Sequence, residues 1–175
     1  MNALVVATHV WPAEDKTPRA CDVLELDFGG PIGDRHHGLT MKSDARQKEF
    51  FARGTEIRNH RQISIVDLAE LATIAQSMGI ASIAPGLIAD NICTKGIDSL
   101  TQLPRMTRLI FEGGAVIMLG GENFPCTIAG AMIGSVHGTA PEKFPKAAMG
   151  LRGVTGWVEH PGVVRPGMAI DVRIP

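Results

Sequence analysis

The thiol of Cys126 is the side chain in this sequence whose setting points most directly to chemistry. It follows the rigid Pro125, and residues 127–129 predict the first turn of a short helix. Unpaired N–H groups and the positive dipole end at a helix N-terminus favour a thiolate, which attacks electrophiles and binds soft metals. Free cysteines are also among the most buried residues, so a packing role is the alternative.

The segment Gly33-Asp34-Arg35-His36-His37-Gly38 places a carboxylate, a guanidinium and two imidazoles between two glycines. Arg35 can form a bidentate contact with a phosphate or carboxylate, and His36 or His37 can donate to an anion or bind a metal. Adjacent histidines point apart in a strand, so we do not expect both on one metal. The alternative is a tight turn in which Asp34 pairs with Arg35 or with local backbone.

Three further polar residues lie beside predicted strands. Arg61 and Arg152 are candidate anion clamps, and the amide of Asn91 can orient a polar ligand because it both donates and accepts. Their alternatives are a solvated charge at a strand entry for Arg61, an Asx-type turn for Asn91 and an incidental Arg-Gly pair for Arg152. The contexts of Cys21 and Cys93 predict structural roles.

Composition excludes several classes of protein. The 175 residues fit a single domain spanning 1–175, and the net charge of -1 with scattered basic residues gives no footprint for nucleic acid. Three cysteines without a CxxC pair predict neither a disulfide framework nor a zinc ribbon, and they are one short of an all-cysteine iron–sulfur cluster. No signal peptide and no apolar run of membrane-spanning length is found, so we expect a cytoplasmic protein without a membrane partner.

Short apolar runs bounded by Gly and Pro predict many brief strands, at 4–8, 23–26, 61–66, 88–94, 107–111, 115–119, 154–158 and 168–174. Residues 112–114 predict a hairpin turn. Many short strands with one strong helix favour a closed or nearly closed β-barrel that carries helices.

The strongest helix signal begins at Asp67. Glu70, three residues later, predicts a capping box, and Gly79 suits the position after the last helical residue. An apolar face predicted to lie in the core comprises Leu68, Leu71, Ala72, Ala75 and Met78.

Residues 41–59 form a polar, charged stretch that is long for a connection. Connections of this length are usually lids, binding loops or mobile segments. A substrate lid and an inert surface excursion are equally compatible with this composition.

Taken together and in order, these segments resemble the MOSC domain, found at the C-terminus of molybdenum-cofactor sulfurases and as stand-alone bacterial proteins. The matching pieces are Gly33-Asp34-Arg35-His36, Arg61-Gln62-Ile63-Ser64, Pro85-Gly86 with Asp90-Asn91-Ile92, Pro125-Cys126, Arg152-Gly153 and the closing 162–167 segment. Six motifs in register make the resemblance fairly specific. It implies a mainly β fold with α elements, a MOSC-type β-barrel with peripheral helices.

Two departures from the family pattern stand out. Ala89-Asp90-Asn91 replaces the usual Gly-Glu-Asn, so a shorter acid stands at a position tied to substrate positioning. Gly167-Met168 replaces a closing Gly-Asp, a loss that we expect to be structural. The sulfurases' pyridoxal-phosphate domain and the family's appended ferredoxin-type domain are not expected at this length.

The resemblance implies a molybdenum-cofactor protein in which Cys126 is the thiolate ligand of molybdenum. Arg35, Arg61, Asn91 and Arg152 would hold the anionic molybdopterin, and the family's likeness to reductases of N-hydroxylated compounds implies His36 or His37 as proton donor. Without a cluster of its own, such a protein needs an external electron donor in addition to its small-molecule substrate.

Two other classes remain open. In the first, Cys126 carries a persulfide received from a sulfur-donor protein and passes the sulfur to a metal-sulfur cofactor or a partner. In the second, the chain is a ligand-binding module without turnover, and residues 41–59 are its partner surface.

Overall fold

A computed structural model describes residues 3–175 of the chain. Within these residues the strands are β1 (Ala3–Val10), β2 (Arg19–Ala20), β3 (Leu24–Asp27), β4 (Gly30–Pro31), β5 (Thr40–Lys42), β6 (Glu56–Arg58), β7 (Ile63–Asp67), β8 (Ile92–Lys95), β9 (Arg108–Phe111), β10 (Val116–Glu122), β11 (Val154–His160), β12 (Gly162–Val164) and β13 (Ala169–Arg173). The α-helices are α1 (Leu68–Met78), α2 (Thr127–His137) and α3 (Lys143–Ala147). Short 3₁₀ turns occupy Ala45–Gln47 and Leu100–Gln102.

Seven strands close into a barrel in the order β13-β9-β10-β11-β7-β8-β1, and β1 pairs back onto β13. Every neighbouring pair in this ring is antiparallel except β7 and β8, whose crossover contains α1. Closure leaves the barrel strands without an unpaired edge, which stabilises a sheet of short strands. The predicted fold class, a MOSC-type β-barrel with peripheral helices, is confirmed.

The core has two parts that share the strands β7 and β8. Ile65 and Ile92 belong to the cluster inside the barrel, whereas Val66 and Cys93 belong to the cluster between the barrel and the helices. Successive residues of a strand point to opposite faces, so these two strands are apolar on both sides. Cys93 is fully buried there, and burial raises the pKa of its thiol.

The predicted start and end of α1 are confirmed. The Asp67 carboxylate accepts a hydrogen bond from the Ala69 N–H at 3.0 Å, and Gly79 ends the helix in a left-handed conformation at φ 70°. The capping box is wrong, because the Glu70 carboxylate accepts from the Thr101 N–H at 2.9 Å and from its hydroxyl at 2.7 Å.

The buried face of α1 differs from the prediction at two positions. Ile74 is fully buried and Ala72 is exposed, so Ile74 completes the apolar face. The strand predicted over 88–94 also begins later, at Ile92, because the preceding backbone forms turns. The Leu87 and Ala89 N–H groups donate to the Ala84 and Gly86 carbonyls, and Ala89 is left-handed at φ 65°.

The polar stretch 41–59 contains ordered structure. We call residues 40–58 the arm: the antiparallel strands β5 and β6 joined by the turn that contains the 3₁₀ segment Ala45–Gln47. Asp44 and Gln47 form a reciprocal capping box at this turn, and the Ser43 hydroxyl donates to the Ala52 carbonyl at 2.7 Å. The arm is therefore built by its own hydrogen bonds.

In residues 3–175, no helix combines the length and the apolarity that crossing a bilayer requires.

Candidate functional site

A cavity of about 430 Å³ lies between the N-terminus of α2, the segment around Asp34 and the arm. It is lined by all seven site residues that the sequence predicted, namely Arg35, His36, His37, Arg61, Asn91, Cys126 and Arg152. These residues differ in their hydrogen-bond partners. Some have donors available to a ligand, whereas others are fully bonded within the protein and form the cavity wall.

Cys126 is the N-cap residue of α2 and is half-buried. Its backbone is extended, and no side chain caps the helix. The first N–H groups of the helix and its positive dipole end therefore lie next to the thiol, where they stabilise a negative charge. The placement at a helix start is the one that the sequence predicted.

Gly130 fixes the position of α2. A Cβ atom there would lie 2.0 Å from the Pro141 carbonyl oxygen, so only glycine allows the helix to approach the following loop this closely. On its inner side α2 packs Ala129 and Ile133 into the outer core cluster. This packing holds the N-terminus of α2 against the cavity.

Arg61 lies just before β7 and is half-buried. One of its guanidinium nitrogens donates to the Asn123 side-chain oxygen at 3.2 Å. Burial, and then the charge of Arg46, lower the pKa of the Arg61 guanidinium to about 10, so it stays protonated at neutral pH. The Cys126 thiol is close enough to influence this guanidinium electrostatically.

Arg152 is only 7% exposed, and burial lowers the pKa of its guanidinium. It donates to the Ile88 carbonyl at 3.1 Å, and within residues 3–175 its buried Nε has no hydrogen-bond partner. The Asp90 carboxylate, buried behind the wall, accepts from the Gly86 N–H at 2.9 Å and influences Arg152 only through its charge. A buried guanidinium with an unused donor is suited to an anionic ligand.

Asp34 lies behind the opposite wall and is hydrogen-bonded to the residues that form it, and its side chain is completely buried. Its carboxylate accepts hydrogen bonds from the Trp11 N–H at 2.8 Å, from the Asn91 amide at 2.9 Å, and from the backbone and ring of His36 at 2.9 and 3.0 Å. Burial alone would raise the pKa of Asp34, but the hydrogen bonds from His36 and Trp11 hold it below the ordinary value.

Asn91 uses both ends of its amide inside the protein. Its oxygen accepts from the Ser64 N–H at 3.0 Å, and its nitrogen donates to Asp34 and to the His9 carbonyl. The structure therefore places Asn91 in the wall as a residue that holds Asp34.

The Arg35 guanidinium is likewise bound by the protein. It donates to the carbonyls of Pro12 at 3.0 Å and Asp15 at 2.8 Å, with longer contacts to Trp11 and Ala13, and it stacks 3.7 Å from the centre of the Trp11 ring. With its donors and one face in use, Arg35 shapes the cavity wall.

The two histidines have different partners. The Nδ1 of His36 is bound to the Asp34 carboxylate, which only accepts, so Nε2 is the nitrogen that can exchange a proton. In His37 the Nε2 itself contacts the Asp27 carboxylate at 2.7 Å. His36 is the better placed of the two for proton transfer in the cavity.

Three residues that the sequence analysis missed complete the site. Asn123 holds Arg61 and donates to the Ser64 hydroxyl at 3.0 Å, and Asn59 accepts from the Arg61 N–H while donating to the carbonyls of His36 and Gly38. Arg46 brings a fourth guanidinium, from the arm, to the cavity lining. The nearness of Asn123 to Cys126 in the sequence was one usable signal, and the charge density of the arm was another.

The cavity is strongly basic although the whole chain has a net charge of -1. Among residues 3–175, its lining includes one carboxylate, that of Asp44, and five Lys or Arg side chains, those of Arg35, Lys42, Arg46, Arg61 and Arg152. Residues 3–175 contain no group of three or more His, Cys, Asp or Glu side chains placed to hold a metal ion. The electrostatics of the site favour a polyanion.

Comparison with known proteins identifies related sequences. The model of the MOSC domain matches residues 32–171. The YuaD protein of Bacillus subtilis strain 168, provisionally named a metal-sulfur cluster biosynthesis protein, is 39% identical over 176 residues, which cover 99% of this chain and 91% of YuaD.

Solved structures give the same relationship. The crystal structure of YuaD from Bacillus subtilis has a TM-score of 0.94 at 38% identity and covers 100% of this chain and 97% of its own. The structure of YiiM from Geobacillus stearothermophilus has a TM-score of 0.67 at 13% identity, covering 97% of this chain and 74% of YiiM. YiiM from Escherichia coli has a TM-score of 0.63 at 15% identity, covering 98% and 69%. At these identities the likeness to YiiM concerns the fold alone.

Proposed function

Because the chain belongs to the MOSC domain family, we propose that its Cys126 cavity binds the molybdenum cofactor and that the protein reduces N-hydroxylated compounds. The observation that carries the proposal is the pairing of one thiol at a helix N-terminus with the Arg61 and Arg152 guanidiniums in a single basic cavity.

The residues present fit the group. Molybdopterin is an anionic dithiolene with a phosphate tail, and it needs cationic donors for the phosphate and a thiolate for the metal. The buried Nε of Arg152, which has no partner in residues 3–175, and the guanidinium of Arg61 supply the donors, and Cys126 supplies the thiol. Because the dithiolene of the pterin would itself bind the metal, the lack of a cluster of metal-binding side chains in residues 3–175 is compatible with this cofactor.

When bound, the cofactor would supply the two electrons and accept the oxygen atom. Cys126 would hold the metal, and the helix N-terminus would stabilise the thiolate. Cleavage of an N–O bond that releases water consumes protons, and His36, oriented by Asp34 at 3.0 Å, would deliver one from Nε2. Electrons would come from an external donor.

A persulfide carrier is the second candidate, and the name of YuaD favours it. In that role the half-buried Cys126 would receive sulfur from a donor protein and pass it to a metal-sulfur cofactor or partner. A persulfide, however, adds only one sulfur atom. It would fill a small part of the cavity of about 430 Å³ and would not account for the basic lining. The cavity therefore favours the larger anionic cofactor.

The test is to produce the protein in a host that makes the molybdenum cofactor and in a matched host that cannot. The proposal predicts molybdenum and pterin in comparable molar amounts in the first preparation only, and reduction of an amidoxime or a hydroxylaminopurine with a chemical electron donor. A preparation without either component, in which Cys126 gains about 32 Da, would establish the carrier instead.

A further inference from the structure

The arm presents Arg46 to the cavity in a fixed way. Asp44 accepts a hydrogen bond from the Arg46 N–H at 2.8 Å, and the Asp44 N–H donates to the Gln47 side chain at 2.9 Å. Gln47 is buried, whereas Arg46 is exposed on the turn and lines the cavity. The backbone of this turn is thus determined independently of where the Arg46 guanidinium points.

The guanidinium of Arg46 has a replaceable partner. It donates to the Asp44 carboxylate at 2.7 Å, and the two side chains are 40% and 36% exposed. An ion pair this exposed contributes little to stability, because water already solvates both charges. The Arg35 guanidinium, by contrast, donates to four backbone carbonyls, which a ligand cannot readily replace.

The Asp44 carboxylate is an anion placed among cations. It is the one carboxylate in the cavity lining, and its charge acts on Arg61 as well as on Arg46. Burial raises the pKa of Asp44, but the Arg46 N–H and the charges of Arg46 and Arg61 outweigh this and hold the pKa below its ordinary value. The carboxylate therefore stays ionised at neutral pH, pairs with the Arg46 guanidinium and attracts the Arg61 guanidinium through its charge alone.

We propose that Asp44 is an internal competitor that occupies an anion subsite formed by Arg46 and Arg61, and that a phosphate dianion displaces it on binding. A phosphate monoester or pyrophosphate has the charge and the oxygens to take over both guanidiniums, which a single carboxylate engages only in part. In this arrangement a ligand binds only if it carries enough negative charge to displace the Asp44 carboxylate from the guanidiniums. The inference rests on the proposed function only for the cellular ligand, the phosphate-bearing cofactor.

The experiment measures binding of inorganic pyrophosphate to metal-free protein by calorimetry in 0.15 M salt. Arg46→Gln should weaken binding about tenfold, because it removes a charge-assisted donor. Asp44→Asn should tighten binding several-fold, because it removes the competing charge while asparagine keeps the N-cap hydrogen bond. Arg53→Gln, on the same arm and outside the cavity lining, is the matched control and should leave affinity unchanged.

The decisive result is that Arg46→Gln and Asp44→Asn change the affinity for pyrophosphate in opposite directions. If the Asp44–Arg46 pair only braced the arm, both substitutions would weaken binding together and both would lower the melting temperature. A parallel loss of affinity in both variants would overturn the inference. So would an unchanged affinity in Arg46→Gln, or wild-type protein that does not bind pyrophosphate. Opposed effects in a protein that never acquires molybdenum would support the subsite and count against the proposed function alone.

Discussion

Two walls of one cavity satisfy their polar groups in different ways. In the Asp34 wall, made by Trp11, Asp34, Arg35 and Asn91, carboxylate, amide and guanidinium bond with one another or with backbone. In the arginine wall, made by Arg46, Arg61 and Arg152, each guanidinium has one acceptor residue within residues 3–175: the Asp44 carboxylate, the Asn123 side chain and the Ile88 carbonyl, respectively. The polar groups of the first wall are satisfied without a ligand, whereas the guanidiniums of the second wall have N–H donors that a ligand could use.

This contrast distinguishes polar residues that position other side chains from polar residues that bind a ligand. Removing one member of a satisfied buried network leaves its partners unpaired, so the cost falls on stability. Removing a buried charge that lacks a full set of partners relieves desolvation, so the cost falls on ligand binding. Substitutions in the two walls should therefore separate stability from function.

The largest effect is expected in the Asp34 wall. Asp34→Ala should lower the free energy of unfolding by about 2–4 kcal/mol, because it leaves the Trp11 N–H and the Asn91 amide without their acceptor. Urea titration followed by tryptophan fluorescence measures this. Asp27→Ala, which removes the partly exposed partner of His37, is the control and should cost well under half as much. Equal costs would refute the distinction between the walls.

Arg152→Met should behave in the opposite manner. We expect the free energy of unfolding to change by less than about 1 kcal/mol, because an apolar chain of similar length replaces a buried guanidinium whose Nε has no partner among residues 3–175. Pyrophosphate affinity should fall at least about tenfold. A variant that unfolds while keeping its affinity would place Arg152 with the positioning residues.

The smallest effect concerns pH. The folded-state pKa of Asp34 lies below its ordinary value of about 3.9, so its carboxylate contributes stability that is fully present above that value and is lost as pH falls through the folded-state pKa. Between pH 7 and pH 3, wild-type protein should lose more stability than Asp34→Asn in urea titrations. Parallel losses in the two proteins would show that other acids account for all of the acid sensitivity.

Local patterns in the sequence predicted the parts of the fold that local physics determines. Asp67 and Gly79 bound α1 because capping depends on residues within one turn. Glu70 was misassigned because its partner, Thr101, lies 31 residues away. A contact of that kind depends on how the chain brings distant segments together, which no window of neighbouring residues shows.

The same limit applies to the site. The MOSC-like motifs identified the residues that line the cavity, and Cys126 was predicted at a helix start. They did not separate Asn91, whose amide donates to Asp34 across 57 positions, from Arg61, whose guanidinium makes a single hydrogen bond within residues 3–175. Arg46 was missed because the polar composition of the arm fits a lid and a surface excursion equally well.

The most direct test of the central claim is the molybdenum content of Cys126→Ser beside wild type and Cys21→Ser, all purified from the same cofactor-producing host. A hydroxyl is a much poorer ligand for a soft metal than a thiolate. The account predicts background molybdenum and no N-hydroxylamine reduction in Cys126→Ser, wild-type values in Cys21→Ser, and similar melting temperatures in all three. Full molybdenum retention or full reductase activity in Cys126→Ser would contradict it.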